Sequence, residues 1–133
     1  MSNDAEKKET AERIMRREGE VILTVNLSAL GVVVPDHLRG KEWLNLRWGK
    51  DLEPAIENLV INRHGISGVL AFGGNKHLCV VPWKSVFGAH DSAQRGCVWL
   101  ADAPAAVAAK VLAEAAEREQ KKTRRTRKTN LWN

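Results

Sequence analysis

The stretch from residue 66 to residue 81 constrains the fold of this chain more than any other part. Residues 66–72 form a mostly apolar run interrupted by Gly68, and residues 77–81 form a second apolar run. A four-residue segment that begins with two glycines, residues 73–76, separates them. Two such runs joined by a short glycine-containing turn are typical of an antiparallel β-hairpin. Antiparallel sheet is therefore predicted at the centre of the chain.

Further short strands are predicted on both sides of this hairpin. Residues 21–27 and 43–48 alternate between two faces, as strands do. In residues 43–48, one face is apolar and carries Leu44, Leu46 and Trp48. Shorter apolar runs predict two more strands, at residues 59–61 and 97–100.

The segments between these strands carry turn signals. Residues 32–35 end in proline, which cannot donate to a ladder, so this segment should end a strand or lie at a sheet edge. Residues 62–65 are predicted to form a turn with Gly65 at positive φ, and residues 82–87 a helical turn. About six short strands joined by tight turns predict a small antiparallel barrel or sandwich.

A helix is predicted at each end of this β region. In residues 4–18, Ala11, Ile14 and Met15 have the spacing of a thin apolar helix face, and Gly19 follows as a stop signal. An Ala-rich stretch follows Pro104, which suits the first turn of a helix. The predicted organisation is an N-terminal helix at 1–19, a β domain at 20–101, a C-terminal helix at 102–119 and a basic disordered tail at 120–133.

The positive charge of the chain lies mostly at its C-terminal end. The whole chain carries a formal charge of +5. From Arg118 to the end there are seven Lys or Arg residues and one acid, a charge of +6, which leaves 5 − 6 = −1 for the rest. A basic tail favours an acidic partner surface or nucleic acid, or is a solvated end.

No catalytic or metal-binding pattern stands out. The four histidines are scattered, and Cys79 and Cys97 lie in apolar runs without a CxxC spacing, so they are interpreted as reduced, buried thiols. We therefore predict no catalytic residues, no metal, no cofactor and no enzyme activity. The first 17 residues are charged, and no run approaches the ~18 apolar residues of a membrane span, so we expect a cytoplasmic protein.

Gly68, Gly73 and Gly74 suggest a binding role for the hairpin. They leave one stretch of strand without side chains, which permits another backbone to approach closely. An extended peptide bound there would gain main-chain hydrogen bonds, and nearby pockets would select its side chains. An ordinary hairpin turn is the alternative. The tryptophans in periodic segments (Trp43, Trp48, Trp83 and Trp99) are interpreted as core or groove wall rather than as a base-stacking platform.

Four segments in order resemble the stringent starvation protein B family. They are Val32-Val33-Val34-Pro35, Trp43-Leu44-Asn45-Leu46, Ile66 to Gly74 ending in Phe72-Gly73-Gly74, and Cys79-Val80-Val81-Pro82-Trp83-Lys84-Ser85-Val86. The family shows the same order of elements, and the resemblance covers roughly residues 21–101. It implies a partly open, Sm-like small β-barrel that follows an N-terminal helix.

The resemblance also implies a function as an adaptor of the ClpXP protease. Such adaptors bind the peptide tag that trans-translation (the ssrA system) adds to stalled products, and they deliver it to the ClpX unfoldase through a docking motif in the tail. Carried over by position, the peptide-binding residues are Asn45, Leu46, Val69, Leu70, Ala71, Phe72, Gly73 and Gly74. The residues that would dock the tail on its partner are Arg127, Lys128, Leu131 and Trp132.

Two features differ from the family pattern. The first helix is mostly charged rather than apolar, so a homodimer through that helix is not favoured, and the Ala-rich helix offers another contact for one. The tail is short and basic rather than long and acidic. A small-barrel nucleic-acid-binding protein that uses its basic tail is the alternative function.

Overall fold

The computed structural model describes residues 3–52 and 55–117. Its elements, in chain order, are α1 (Asp4–Glu18), β1 (Glu20–Asn26), β2 (Trp43–Gly49), β3 (Glu57–Ile61), β4 (Gly65–Phe72), β5 (Asn75–Pro82), β6 (Val86–His90), β7 (Gly96–Val98) and a helix, α2, at residues 105–117. Short 3₁₀ turns lie at Asp36–Leu38, Trp83–Ser85 and Leu100–Asp102. The predicted tail at 120–133 lies outside the described residues.

The described strands form two antiparallel sheets. One has the order β2-β1-β6-β7 and the other has the order β3-β4-β5. No strand pairing joins the two sheets within the described residues, so they do not close into a barrel. The prediction of a mainly β, partly open small fold with a helix at each end is confirmed.

The strands at the centre of the chain agree with the sequence pattern. β4 and β5 pair along their whole length, from Gly65 opposite Pro82 to Phe72 opposite Asn75, so the predicted hairpin is confirmed. In β2 the predicted apolar face is also confirmed, because Leu46 and Trp48 are buried while Asn45 is exposed. Residues 32–35 contribute an isolated bridge, in which Val33 and Val80 exchange two hydrogen bonds of 2.9 Å.

One local prediction is confirmed only in part and another is wrong. Only Trp83–Ser85 is helical in the segment predicted as a helical turn, and Val86–His90 forms a strand that the sequence analysis did not predict. Gly65 is not at positive φ; it lies in β4, where a Cβ atom would collide with the carbonyl oxygen of Val81. The glycine at this position is required by the close approach of β5 rather than by a turn.

Helix α1 packs its thin apolar face on the sheet of β1 and β6. Ala11, Ile14 and Met15 are buried there, and Gly19 ends the helix in the left-handed conformation with φ 81°. Lys7 is buried as well, with 1% of its side chain exposed. Its Nζ donates to the carbonyl oxygen of Trp83 at 2.8 Å and to Asp102 Oδ2 at 2.7 Å. This partly buried ion pair, in which the Asp102 side chain is 35% exposed, joins the first helix to the segment that precedes the last one.

Three of the four tryptophans in periodic segments belong to the core. Trp48 and Trp83 are fully buried, and Trp99 is nearly so. Trp83 Nε1 donates to the carbonyl oxygen of Asn62 at 2.8 Å, whereas Trp48 Nε1 has no partner among the described residues. Trp43 is exposed and borders a groove on the outer face of the four-stranded sheet.

The loop between β6 and β7 is organised around the carboxylate of Asp91, which is 1% exposed. It accepts hydrogen bonds from the backbone N–H groups of Ala93 and Arg95 and from the side chains of Arg95 and Arg17, at 2.9 to 3.2 Å. The pKa of Asp91 is lowered, mainly because the Arg95 backbone N–H donates to the charged carboxylate, and the Arg95 guanidinium adds to this effect against the cost of burial.

We expect the free energy of unfolding of Asp91→Asn to fall less steeply than that of wild type as the pH is lowered into the acid range. Because the pKa of Asp91 is lowered in the folded protein, its contribution is complete above the ordinary aspartate pKa of about 4 and is lost as the pH falls through the folded-state value. Urea unfolding at pH 7 and at several values below about 4 measures this. Asp36→Asn is the matched control, because the Asp36 side chain is fully exposed. Parallel profiles for wild type and Asp91→Asn would contradict the prediction.

Candidate functional site

A cleft lies between the outer edge of β2 and the end of β4. It has a volume of about 220 Å³. Five of the eight predicted peptide-binding residues line it together: Asn45 and Leu46 from β2, and Leu70, Ala71 and Phe72 from β4. The structure therefore brings together two segments that lie more than twenty residues apart in the sequence.

Three lining residues were not predicted: Arg47, Leu52 and Ile56. Arg47 alternates with Asn45 on the polar face of β2, and this pattern was the signal that could have indicated it. Leu52 and Ile56 come from the connection between β2 and β3, which carries no periodic pattern.

The other three predicted residues lie outside the cleft lining. Val69 pairs with Glu57 of β3 and with Leu78 of β5, and it belongs to the interior of the three-stranded sheet. Gly73 and Gly74 form the two-residue turn of the hairpin, with φ 58° and 89°. Both angles suit a type I′ turn, which favours glycine at its central positions.

Gly68 does not leave room for a ligand, so that part of the sequence-based interpretation is wrong. A Cβ atom at Gly68 would lie 2.6 Å from Ile56 Cγ2 and 3.5 Å from the Cα of Leu59. The backbone that approaches this glycine closely therefore belongs to the chain itself, in the irregular start of β3.

At the cleft, the backbone of β4 has a position that pairs with none of the described residues. In an antiparallel pair, alternate residues direct both N–H and C=O to the same neighbour. Ser67 and Val69 pair with β3, and Asn62 N donates to the oxygen of Gly65 at 3.0 Å. The backbone groups of Gly65, Ser67 and Val69 are therefore directed to the β3 side. Ala71 is next in this series, but β3 begins at Glu57, opposite Val69. No described residue pairs with the Ala71 backbone on this side.

The outer edge of β2 has unpaired positions at the same cleft. Leu27 N donates to the oxygen of Glu42 at 3.1 Å, which fixes the hydrogen-bonding phase of β2 against β1. It follows that Leu44 and Leu46 direct their backbone N–H and C=O groups toward β1, whereas Asn45 and Arg47 direct theirs away from it. No described strand pairs with that edge. The cleft thus lies between two strand edges that both expose hydrogen-bonding groups.

The walls of the cleft are apolar and its rim is polar. Leu46 and Leu70 are buried, and Phe72 is half-buried. At the rim, Asn45 Oδ1 accepts a hydrogen bond of 2.7 Å from the hydroxyl of Thr24, so the amide nitrogen of Asn45 is the group left for a ligand. Arg47 Nε lies 3.4 Å from Glu20 Oε2. This combination fits a short extended segment with alternating apolar and polar side chains.

Volume alone does not single out this cleft. A cavity of about 580 Å³ lies against the charged face of α1, and one of about 400 Å³ lies beside α2 on the four-stranded sheet. The smaller cleft is bordered on both sides by strand backbone that has no partner among the described residues. An extended peptide can satisfy such groups.

Thiol and metal chemistry find no support in the described part of the chain. Cys79 and Cys97 are both free, and burial raises the pKa of the Cys79 thiol to about 11. No group of three or more His, Cys, Asp or Glu side chains among the described residues is arranged to hold a metal ion. No helix in residues 3–52 or 55–117 has both the length and the apolar character needed to span a membrane.

The predicted docking residues Arg127, Lys128, Leu131 and Trp132 lie outside the described residues. Comparison with known proteins gave no match to any protein-family model, and no curated protein matches the chain significantly. The class that the fold and the cleft define is a small, partly open β protein with a strand-edge cleft.

Proposed function

We propose that this chain is a peptide-binding protein, not an enzyme, and that it holds an extended peptide in the cleft between β2 and β4. The observation that carries this proposal is that the Ala71 backbone and the outer edge of β2, neither of which has a partner strand among the described residues, border the same apolar-walled cleft. A peptide strand placed there would continue the sheet of β2 and satisfy Ala71 as well.

The binding energy of such a peptide comes from two sources. Each main-chain hydrogen bond contributes about 1 kcal/mol net. Side chains that point inward would contact Leu46, Leu70 and Phe72, and the burial of apolar surface adds about 25 cal/mol per Å². Side chains that point outward would meet the rim, where Asn45 and Arg47 lie.

The peptide that we propose is a degradation tag of the trans-translation type, and the role that we propose is adaptor for the ClpXP protease. This rests on the resemblance of residues 21–101 to the stringent starvation protein B family and on the position of the cleft at the matching segments. Docking on ClpX would fall to the tail, through Arg127, Lys128, Leu131 and Trp132. We place the protein in the cytoplasm, where such tags are handled.

Nucleic-acid binding remains the competing hypothesis and depends on the basic tail. Without that tail the chain carries a charge of 5 − 6 = −1, so the folded part has no general attraction for phosphates. Removal of residues 118–133 would abolish nucleic-acid binding by the tail, but it would leave peptide binding in the cleft intact.

A fluorescent tag peptide titrated against the full chain tests the proposal. We expect saturable binding that Phe72→Ala weakens roughly fivefold, which corresponds to the loss of about 1 kcal/mol of apolar contact. Leu78→Ala is the matched control, because Leu78 lies on the outer face of the same sheet and is 52% exposed. Absence of saturable binding, or an equal loss in both variants, would contradict the proposal.

A further inference from the structure

We propose that Arg47 selects peptides in which an acidic residue directly follows or precedes the apolar residue that enters the cleft. This inference rests on the proposed function and specifies which peptides the cleft prefers. It starts from two facts about β2: its outer edge has no partner strand among the described residues, and its outward backbone groups at the cleft belong to Asn45 and Arg47.

The alternation of a strand fixes where the side chains of a bound peptide point. Residues directly opposite each other in neighbouring strands have their side chains on the same face of the sheet. Peptide residues opposite Asn45 and Arg47 would therefore project to the outer face. The residue between them, opposite Leu46, would project inward toward Leu70 and Phe72.

The outer position beside Arg47 is basic. Arg47 carries the only charge among the described residues that line the cleft. Its side chain is 59% exposed, so a ligand can reach the guanidinium group. A carboxylate on the peptide residue opposite Arg47 would lie beside this group, whereas a lysine there would be repelled.

The contact between Arg47 and Glu20 orients the guanidinium group and leaves room for a second carboxylate. Glu20 Oε2 approaches Nε, at 3.4 Å. The two terminal nitrogens carry four further N–H donors, and this planar fork matches the two oxygens of a carboxylate. Glu20 therefore acts as a positioning residue that partly neutralises the charge of Arg47 without occupying its terminal nitrogens.

The other ion pair near the end of β4 does not offer the same selection. Lys76 Nζ lies 2.5 Å from Glu57 Oε1, so the charges of this pair compensate each other. Lys76 is opposite Ala71 in the hairpin but does not line the cleft. The acidic preference is therefore assigned to Arg47 alone.

A charge-swap experiment tests this inference. The probes are fluorescein-labelled ten-residue peptides with blocked termini and a central valine, with serine on one side and glutamate, glutamine or lysine on the other, in both orders because the strand direction is not fixed. We expect wild type to bind the better glutamate peptide about fivefold more tightly than its glutamine version. Arg47→Gln should remove this difference, and Arg47→Glu should make the lysine peptide the preferred one.

Two further variants sharpen the test. Glu20→Gln should tighten binding of the glutamate peptide severalfold, because it removes the negative charge that partly neutralises Arg47, while the amide oxygen of the glutamine can still contact Nε. Arg63→Glu is the matched control, since Arg63 is an exposed arginine in the turn before β4 and should leave the order unchanged. Thermal unfolding verifies that each variant is folded.

The failures of the two proposals are distinguishable. If wild type binds the three peptides equally, or if Arg47→Glu keeps the wild-type order, the selection by Arg47 is wrong while the peptide-binding function stands. If none of the peptides binds, including the tag peptide, both proposals are wrong.

Discussion

Asp102→Asn is expected to lower the free energy of unfolding by about 2 kcal/mol, because it leaves the buried ammonium group of Lys7 without its counter-charge; the loss is smaller than for a fully buried pair because the Asp102 side chain is 35% exposed. Lys7 is 1% exposed and has two acceptors, Asp102 and the carbonyl oxygen of Trp83. Its Nζ also lies 5.8 Å from the centre of the Trp99 ring. Without the negative charge at Asp102, Nζ keeps only neutral partners, namely the carbonyl oxygen of Trp83, the Trp99 ring and the amide oxygen of the substituted side chain, and these do not repay the loss of hydration of a full charge.

Urea unfolding followed by tryptophan fluorescence measures this effect. Glu12→Gln is the matched control, because it breaks the ion pair of Lys8 and Glu12, whose two side chains are about one-third exposed. A pair in that setting contributes about 0.5 kcal/mol. The double variant Lys7→Met with Asp102→Asn should recover part of the loss, since it removes the buried charge. Equal losses for Asp102→Asn and Glu12→Gln would contradict the account of this contact.

Ala71→Pro is expected to weaken peptide binding at least about tenfold, because proline removes the N–H donor that faces the cleft and its ring obstructs the edge of the strand. The stability of the protein should change little. The Ala71 N–H is directed away from β5, and no described residue accepts a hydrogen bond from it.

Lys76→Pro is the matched control for this variant. Lys76 is the residue opposite Ala71 in the hairpin, and its N–H faces the other edge of β5. The same titration with the fluorescent tag peptide compares the two proline variants. If both weaken binding equally, damage to the hairpin is the cause, and the role assigned to the Ala71 backbone is wrong.

The sequence was sufficient to predict the elements with strong local signals. The hairpin of β4 and β5 follows from two apolar runs around Gly73 and Gly74, and β2 follows from strict alternation. β6 was missed because Val86, Phe87, Gly88 and Ala89 are all buried, so the segment shows no alternation. A short apolar run without alternation is ambiguous between strand and helix.

Other features depend on contacts between distant segments. Gly65 suited a turn in the sequence, and only the position of β5 shows that close packing requires it. Lys7 has its partner 95 residues away, so no local pattern indicated that a lysine would be buried. The open position at Ala71 depends on where β3 begins. The register of β3 shifts between Glu57 and Val60, and no periodic pattern in the sequence indicates this shift.

For the same reason, only some of the residues that line the cleft could be predicted from the sequence. Asn45, Leu46, Leu70, Ala71 and Phe72 lie on strands with clear patterns, so their positions on β2 and β4 could be predicted. Arg47 was visible as a neighbour on the polar face of β2. Leu52 and Ile56 belong to an irregular connection, and their place in the cleft is a tertiary property.

Amide hydrogen exchange of Ala71, measured by NMR with and without a saturating tag peptide, tests the central claim most directly. In the free protein the Ala71 N–H has no partner among the described residues and should exchange rapidly. We predict that the peptide slows its exchange together with that of Asn45 and Arg47, and leaves Lys76 unchanged. Exchange at Ala71 that stays fast in the saturated complex would contradict the account, because the peptide would then not bind as a strand in this cleft.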